Sequence, residues 1–212
     1  MNAPRPMRPL GPHGPPGEAP PAPMGAPVDA RTRPRWPRVQ AGLGLVLAVA
    51  AATHALVLWA LPRLVMHRAM ATVGGAAPPA PVHPPPTEHT QRRIVMPSPD
   101  LLYGVCVWNL TDRPLRIRAD LRGPGYASLA LYAANSDNFL VINDRQAGGV
   151  PLDLWLTAPG AAGRAAPAPA GARAVTAPTT RGLLLMRVLV GDRARDLPAA
   201  EATRATLRCE PG

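Results

Sequence analysis

The chain has 212 residues, 30 of them Pro and 19 Gly, and a formal net charge of +10. All 23 basic residues are Arg, which indicates coding bias. The charge is spread along the chain instead of being concentrated on a folded domain with interleaved aromatic residues, so the composition argues against a nucleic-acid partner. Pro-rich stretches cannot bury enough apolar surface to offset their ordering entropy, which leaves about half of the chain for one small domain.

The first element in chain order is an apolar stretch, Val39–Leu61, behind a disordered Pro/Arg-rich tail at residues 1–38. The stretch carries no formal charge and is long enough to cross a hydrocarbon core about 30 Å thick. A buried core helix fits less well, because a small domain cannot hide a helix that is apolar on all sides. A cleaved signal peptide fits less well because the run is long and lies far from the N-terminus. We therefore expect a transmembrane helix whose partner is the lipid bilayer.

The flanks of this stretch predict its orientation. Four Arg lie within Arg31–Arg38, directly before the helix, and only Arg63 and Arg68 follow closely. An excess of Arg marks the cytoplasmic side, so the N-terminus is expected in the cytoplasm and the rest of the chain outside it. His54 is read as a tolerated polar residue, since no carboxylate accompanies it.

Residues 62–99 are expected to form a juxtamembrane and Pro-rich tether, partly in the polyproline II conformation. His83, Glu88 and His89 lie in it. A metal site needs three or four ligands that converge at fixed spacing, which such a tether does not supply. We predict no metal site, and no motif indicates a cofactor.

Residues 100–210 are predicted to form an all-β domain, a small antiparallel β-sandwich or jelly-roll of about six or seven strands. In Leu115–Leu121 apolar and polar side chains alternate, as in a half-buried antiparallel strand. Turn signals separate the strands at the spacing typical of a sandwich or a partly open barrel. The predicted strands are Leu102–Leu110, Leu115–Leu121, Tyr126–Ala133, Phe139–Asp144, Leu152–Ala158, Gly182–Val190 and Ala205–Glu210. A low-complexity loop is expected at about 159–180, and a helix is conceivable only within Pro198–Thr206.

Two cysteines, Cys106 and Cys209, lie near the two ends of this domain. A single pair in a domain outside the cytoplasm favours a disulfide that pins the last segment to the first strand. Two unrelated buried thiols or a catalytic Cys are the alternatives. A catalytic Cys and a Ser/His/Asp triad both need a His, and all five His lie at or before His89.

One polar stretch, Asn135–Gly149, is the candidate site within the domain. Its best candidates for a binding or catalytic role are Asp137, Asn138, Asn143, Asp144 and Arg145. Turn chemistry explains most of them, because short polar side chains bond the local backbone. If they form a pocket instead, Asp144 could act as a general base and Arg145 could hold a carboxylate or phosphate. Asp137 and Asp144 lie about 23 Å apart on an extended strand, which weakens a paired-carboxylate mechanism.

Several motifs occur in the order found in a bacterial family, and through them the chain resembles the family called domain of unknown function 1254, in its short membrane-anchored form. They are DLLYGVCVWNLTDRPLRIRADL, GYASLALYAANSDNFLVINDRQA, LDLWLT, LLLMRVLV and LRCE, and together they cover roughly Ser98–Glu210. The residues that carry the resemblance are Cys106, Tyr132, Asn138, Phe139, Asn143, Asp144, Arg145, Cys209 and Glu210.

The resemblance implies one N-terminal helix followed by a small β domain. The extension Met1–Pro37 and the loop Pro159–Thr180 depart from the family pattern. The family has no established activity, so the resemblance bears on fold and location more than on chemistry.

Two hypotheses of function follow. The first is a single-pass bacterial inner-membrane protein whose periplasmic β domain is a binding or accessory module, with another membrane protein as a possible partner. The alternative is a small-molecule-binding or hydrolytic enzyme that uses the Asn138–Arg145 end of the sandwich. They differ in whether the polar side chains converge on a cavity, and the non-enzymatic reading is preferred.

Overall fold

The structure is a computed structural model that describes residues 36–73, 80–88, 97–123, 125–160 and 166–212. Most of the predicted tail, two parts of the predicted tether and part of the predicted low-complexity loop lie outside these residues. The chain divides into two compact units, Met1–Val49 and Ala50–Gly212. The β domain lies within the second unit.

Helix α1 runs over Trp36–Val73, so it begins before the predicted apolar stretch and continues well beyond Leu61. Among the described residues it is the one helix long and apolar enough to cross a membrane. The helix passes through Pro62 without a break. Met66 and Met70, near its C-terminal end, are buried against Val105 and Leu183.

In the part of the chain that the structure describes, eight strands form two four-stranded sheets, which confirms the predicted β-sandwich behind an N-terminal helix. Sheet A has the strand order β1-β7-β3-β4, and sheet B has the order β6-β5-β2-β8. The strands are β1 (Leu101–Asn109), β2 (Leu115–Ala119), β3 (Ala127–Ala133), β4 (Asn138–Asn143), β5 (Leu152–Thr157), β6 (Arg173–Thr176), β7 (Arg181–Leu189) and β8 (Arg208–Pro211).

The alternation of side chains decides which faces meet in the core. In β2, Leu115, Ile117 and Ala119 are buried, as their spacing predicts. Trp108 of β1 is 1 % exposed, and its ring meets Phe139 edge to face with the centroids 6.3 Å apart. Such aromatic pairs stabilise a fold beyond the burial of apolar area, so this contact helps to fix β4, the strand that carries Asn138 and Asn143.

Three local features differ from the sequence prediction. Strand β6 lies inside the stretch predicted as a loop, and it pairs with β5 in parallel, so the sandwich is not wholly antiparallel. Helix α2 (Asp144–Ala147) occupies a predicted turn. Helix α3 (Arg193–Arg204) begins before Pro198 because Asp192 caps it: Asp192 Oδ1 accepts the N–H of Ala194 at 2.9 Å.

The described residues 80–88 lie along the outer edge of β1. Val82 and Val105 exchange two backbone hydrogen bonds, of 2.7 and 2.9 Å. The guanidinium of Arg204, which is 7 % exposed, donates to the carbonyl oxygens of Pro84 at 2.5 Å and Tyr103 at 3.3 Å. This arginine of α3 therefore joins residues 80–88 to the edge of sheet A, which would otherwise be open for pairing.

The disulfide between Cys106 and Cys209 is present, as predicted. It joins β1 of sheet A to β8 of sheet B, with the two Cα atoms 6.7 Å apart. Both residues are buried. The bond therefore crosses the core and ties the two sheets together.

Candidate functional site

The turn between β3 and β4 holds the first two candidate residues, Asp137 and Asn138. Asn135 Nδ2 donates to Asp137 Oδ2 at 2.5 Å, and the Asp137 carbonyl accepts the N–H of Ala133 at 2.8 Å. The side-chain amide of Asn138, with its nitrogen towards the sheet, donates to the carbonyl oxygens of Leu131 and Leu140, at 3.2 Å each. These bonds close the turn and supply donors to backbone carbonyls next to the β-bulge at Leu131/Tyr132.

The other three candidate residues lie at the opposite end of β4. Asn143 is the N-cap of α2 in a capping box: Gln146 N donates to Asn143 Oδ1 at 2.8 Å, and Asn143 N donates to Gln146 Oε1 at 3.0 Å. Gly148 ends this short helix with φ = 63°, a left-handed conformation that favours glycine. The polar side chain of Asn143 therefore organises the backbone next to Asp144 and Arg145.

The structure does not bring the five candidate residues together. Five residue steps along β4 separate Asn138 from Asn143, which is about 16 Å at 3.3 Å per residue. Asp137 and Asn138 stay at one end of the strand, and the group from Asn143 to Arg145 stays at the other.

A cleft lies at the Asn143 end, between α2 and the loop that connects β2 to β3. It has a volume of about 560 Å³, and a neighbouring cavity of about 270 Å³ shares three of its lining residues. The cleft is lined by Gly123, Gly125, Tyr126, Asn143, Asp144 and Arg145. Loops at the end of a sandwich, held on rigid strands, are common positions for binding residues.

Asp144 is the distinctive group in this cleft. Its Oδ1 is buried and has no hydrogen-bond partner among the residues that the structure describes. Nearby, Arg122 is engaged by Asp120, through a 2.9 Å bond from Nε to Oδ1. That bond holds the pKa of the Asp120 carboxyl below its usual range. The Asp144 carboxylate, in the wall of the cleft, thus keeps one acceptor oxygen without a partner among the described residues.

The chemistry open to the cleft is limited by its residue types. Within the described parts of the chain, no three His, Cys, Asp or Glu side chains gather as metal ligands would. Asp144 can accept hydrogen bonds from hydroxyl or ammonium groups, and the phenol of Tyr126, which is 40 % exposed, offers an aromatic face.

Sequence reasoning missed Tyr126 and the two glycines of the β2–β3 loop. Only folding brings that loop to Asp144. The capping box was readable, because an Asn followed three residues later by a Gln is a known signature of a helix N-terminus. Tyr126 had no such local signal.

Comparisons with known proteins bear on the family. Among curated proteins, none matches this chain. A crystal structure of a protein from Vibrio parahaemolyticus is similar to it over 54% of this chain and 28% of the other, with 14% identity and a TM-score of 0.48. One of an uncharacterised protein from Burkholderia cenocepacia is similar over 76% of this chain and 42% of the other, with 16% identity and a TM-score of 0.44.

This chain thus spans less than half the length of either protein. The family model described as "Protein of unknown function (DUF1254)" matches residues 80–211, well over half of the chain, which confirms the resemblance seen in the motifs: the chain belongs to that family.

Proposed function

We propose that this protein is a single-pass protein of a bacterial inner membrane whose β-sandwich lies outside the cytoplasm and serves as a binding or accessory module. One observation carries the proposal: the side chains of α1 are exposed from Trp36 to Trp59, although most are apolar. Exposed apolar surface of this extent needs a covering partner, and its length fits a bilayer.

The disulfide and the charged flanks support the orientation. Disulfides persist outside the reducing cytoplasm, so the bond between Cys106 and Cys209 fits an exported domain. The Arg cluster Arg31–Arg38 before the apolar stretch Val39–Leu61 fits a cytoplasmic N-terminus. The partner of such a module would be another membrane protein or an envelope component.

The test uses single added cysteines in the full chain, expressed in cells whose outer barrier is permeabilised. Arg195 is a suitable position because its side chain is 77% exposed, and Asn2 reports on the N-terminus. A membrane-impermeant maleimide is expected to label the Arg195→Cys protein and to leave the Asn2→Cys protein unlabelled. The reverse pattern would overturn the orientation, and labelling of both without a membrane-bound fraction would overturn the anchor.

The native cysteines need a separate readout because they are buried. Wild-type protein denatured without reductant is expected to show no reactive thiol, and two after reduction. Two reactive thiols before reduction would remove the disulfide from the argument for export.

A second candidate function is small-molecule binding, or hydrolysis with Asp144 as a general base, at the cleft. The unpartnered Oδ1 of Asp144 is the observation that favours it. Glucose and ethanolamine are simple probes whose hydroxyl and ammonium groups donate hydrogen bonds to a carboxylate such as that of Asp144. We expect one of them, at millimolar concentration, to shift the amide NMR signals of Tyr126 and Asp144, and the Asp144→Asn variant to weaken the effect. No shift with either probe would count against the cleft as such a site.

A further inference from the structure

The contact between α1 and the sandwich begins where the apolar stretch ends. Side chains from Ala50 to Trp59 are exposed, Ala60 and Pro62 are partly covered, and Met66 and Met70 are buried on sheet A. The same helix thus passes directly from a surface that needs lipid to a surface that the sandwich covers.

A hydrogen bond marks the level at which the two surfaces meet. Ser136 Oγ, in the β3–β4 turn, donates to the carbonyl oxygen of Pro62 at 2.8 Å. Ser136 has φ = 74°, a conformation that non-glycine residues adopt at a cost and keep only where the surroundings hold them. The β3–β4 turn is therefore fixed next to Pro62, one residue after the apolar stretch.

The strand register places other turns at the same end of the sandwich. Asn109 at the end of β1 pairs with Arg181 at the start of β7, and Gly182 pairs with Ala133 at the end of β3. The N–H of Leu110 donates to the Thr180 carbonyl at 2.8 Å. The β1–β2 turn and the loop before β7 hence lie beside the β3–β4 turn, and we call the three together the helix-proximal end.

The side chains at this end suit a headgroup layer. Four polar or charged side chains are exposed there: Thr111, Asp112, Arg113 and Arg181. Such side chains keep this end out of the hydrocarbon core but fit the polar boundary of the bilayer. On α1, the guanidinium of Arg63 lies 4.4 Å from the centroid of the Trp59 ring. Trp favours the membrane–water interface, and Arg extends its charge to the polar side, so this pair marks the boundary between lipid and water.

We propose that the helix-proximal end rests on the lipid headgroups, so that the sandwich is held against the bilayer by α1 and does not swing on a tether. The proposal rests on the proposed function, since it requires Val39–Leu61 to span the membrane. It also has a consequence for the candidate site: the cleft at Asn143 lies at the end of β4 opposite to the helix-proximal end.

The test is site-directed spin labelling of the full chain, with its disulfide intact, in nanodiscs of phosphatidylcholine and phosphatidylglycerol that contain a nickel-chelating lipid. One label is placed at the helix-proximal end (Arg113→Cys), a matched control on α3 (Arg195→Cys) and an anchor reporter on α1 (Leu56→Cys). Nickel at the headgroups is expected to enhance the relaxation of the Arg113 label several-fold over the Arg195 label. The Leu56 label is expected to be accessible to oxygen and shielded from soluble nickel chelate.

The outcomes separate the two proposals. Equal, weak relaxation at positions 113 and 195, with the Leu56 label in lipid, would overturn the headgroup contact and leave the membrane anchor standing. A Leu56 label that soluble chelate reaches freely would overturn the anchor, and the headgroup contact with it.

Discussion

At the scale of single residues, Gly182 is required by the position of the Trp108 ring. A Cβ added at Gly182 would lie 2.3 Å from Trp108 Cζ2 and 2.4 Å from the Tyr132 carbonyl oxygen. We expect Gly182→Ala to destabilise the domain by about 1–3 kcal/mol, because the ring or the strand must move.

Urea unfolding followed by near-ultraviolet circular dichroism measures this loss of stability. Gly125→Ala is the matched control, since its Cβ would meet Leu189 at an ordinary 3.6 Å. Equal midpoints for the two variants would show that the space at Gly182 is not limiting.

A second residue-scale prediction concerns Asp153. Arg116 donates to both of its carboxylate oxygens, at 3.0 and 2.6 Å, and this pairing holds the pKa of the Asp153 carboxyl below its usual range. Because the folded-state pKa is depressed, the stabilisation is present above the unfolded-state pKa and is lost as the pH falls through the folded-state pKa. The Asp153→Asn variant should therefore melt below wild type at pH 7, and the gap should close in acid. A gap that is constant with pH would contradict this assignment.

At the scale of secondary-structure elements, Arg204 is the link between α3 and residues 80–88. Its guanidinium also pairs with Glu201, and Arg193 Nη2 adds a 3.0 Å bond to the carbonyl of Thr87. Arg204→Met should leave the carbonyls of Pro84 and Tyr103 without their donor, at a cost of about 1–3 kcal/mol.

Limited proteolysis reads out this change locally. We expect the Arg204→Met protein to be cut within residues 80–88 faster than wild type, and Arg195→Met, which removes an exposed arginine of the same helix, to behave as wild type. Unchanged protection in the Arg204→Met protein would show that the backbone hydrogen bonds of Val82 alone hold residues 80–88 on the edge of β1.

The attachment of α1 to sheet A depends on its buried methionines. Replacing Met66 and Met70 by Ser should free the end of the helix, because their contacts with Val105 and Leu183 form a small cluster apart from the main core. Hydrogen exchange of the amides in residues 62–73 is expected to rise by at least an order of magnitude, as local opening becomes easier. Leu64→Ser is the control, since Leu64 is 50% exposed. An equal rise in both proteins would mean that the sheet does not hold the helix.

At the scale of the whole molecule, the disulfide joins residues separated by 103 positions and connects the two sheets. Closing a loop of this length stabilises a fold by about 4–5 kcal/mol on the chain-entropy model. The Cys106→Ala/Cys209→Ala protein should unfold at a much lower urea concentration than wild type. The unfolding midpoint of the wild-type protein in reductant should equal that of this variant. A wild-type midpoint that reduction does not change would mean that the core, and not the disulfide, provides the stability.

The sequence by itself determined the elements whose signals are local. The apolar run Val39–Leu61 predicts a long helix by its length and its uniformly apolar composition. The alternation in Leu115–Leu121 predicts a half-buried strand, because successive side chains of a strand point to opposite faces. The pair Cys106 and Cys209 could be assigned because the chain has no third cysteine.

Only the tertiary structure decided which distant segments meet. Val82 pairs with Val105 of β1, Met66 and Met70 cover sheet A, and Tyr126 shares a cleft with Asp144. The structure also separates Asn138 from Asn143, two residues that the sequence places in one polar stretch. The physical reason is that periodicity reports the neighbours of a residue along the chain, whereas these contacts depend on how two sheets and a helix pack in space.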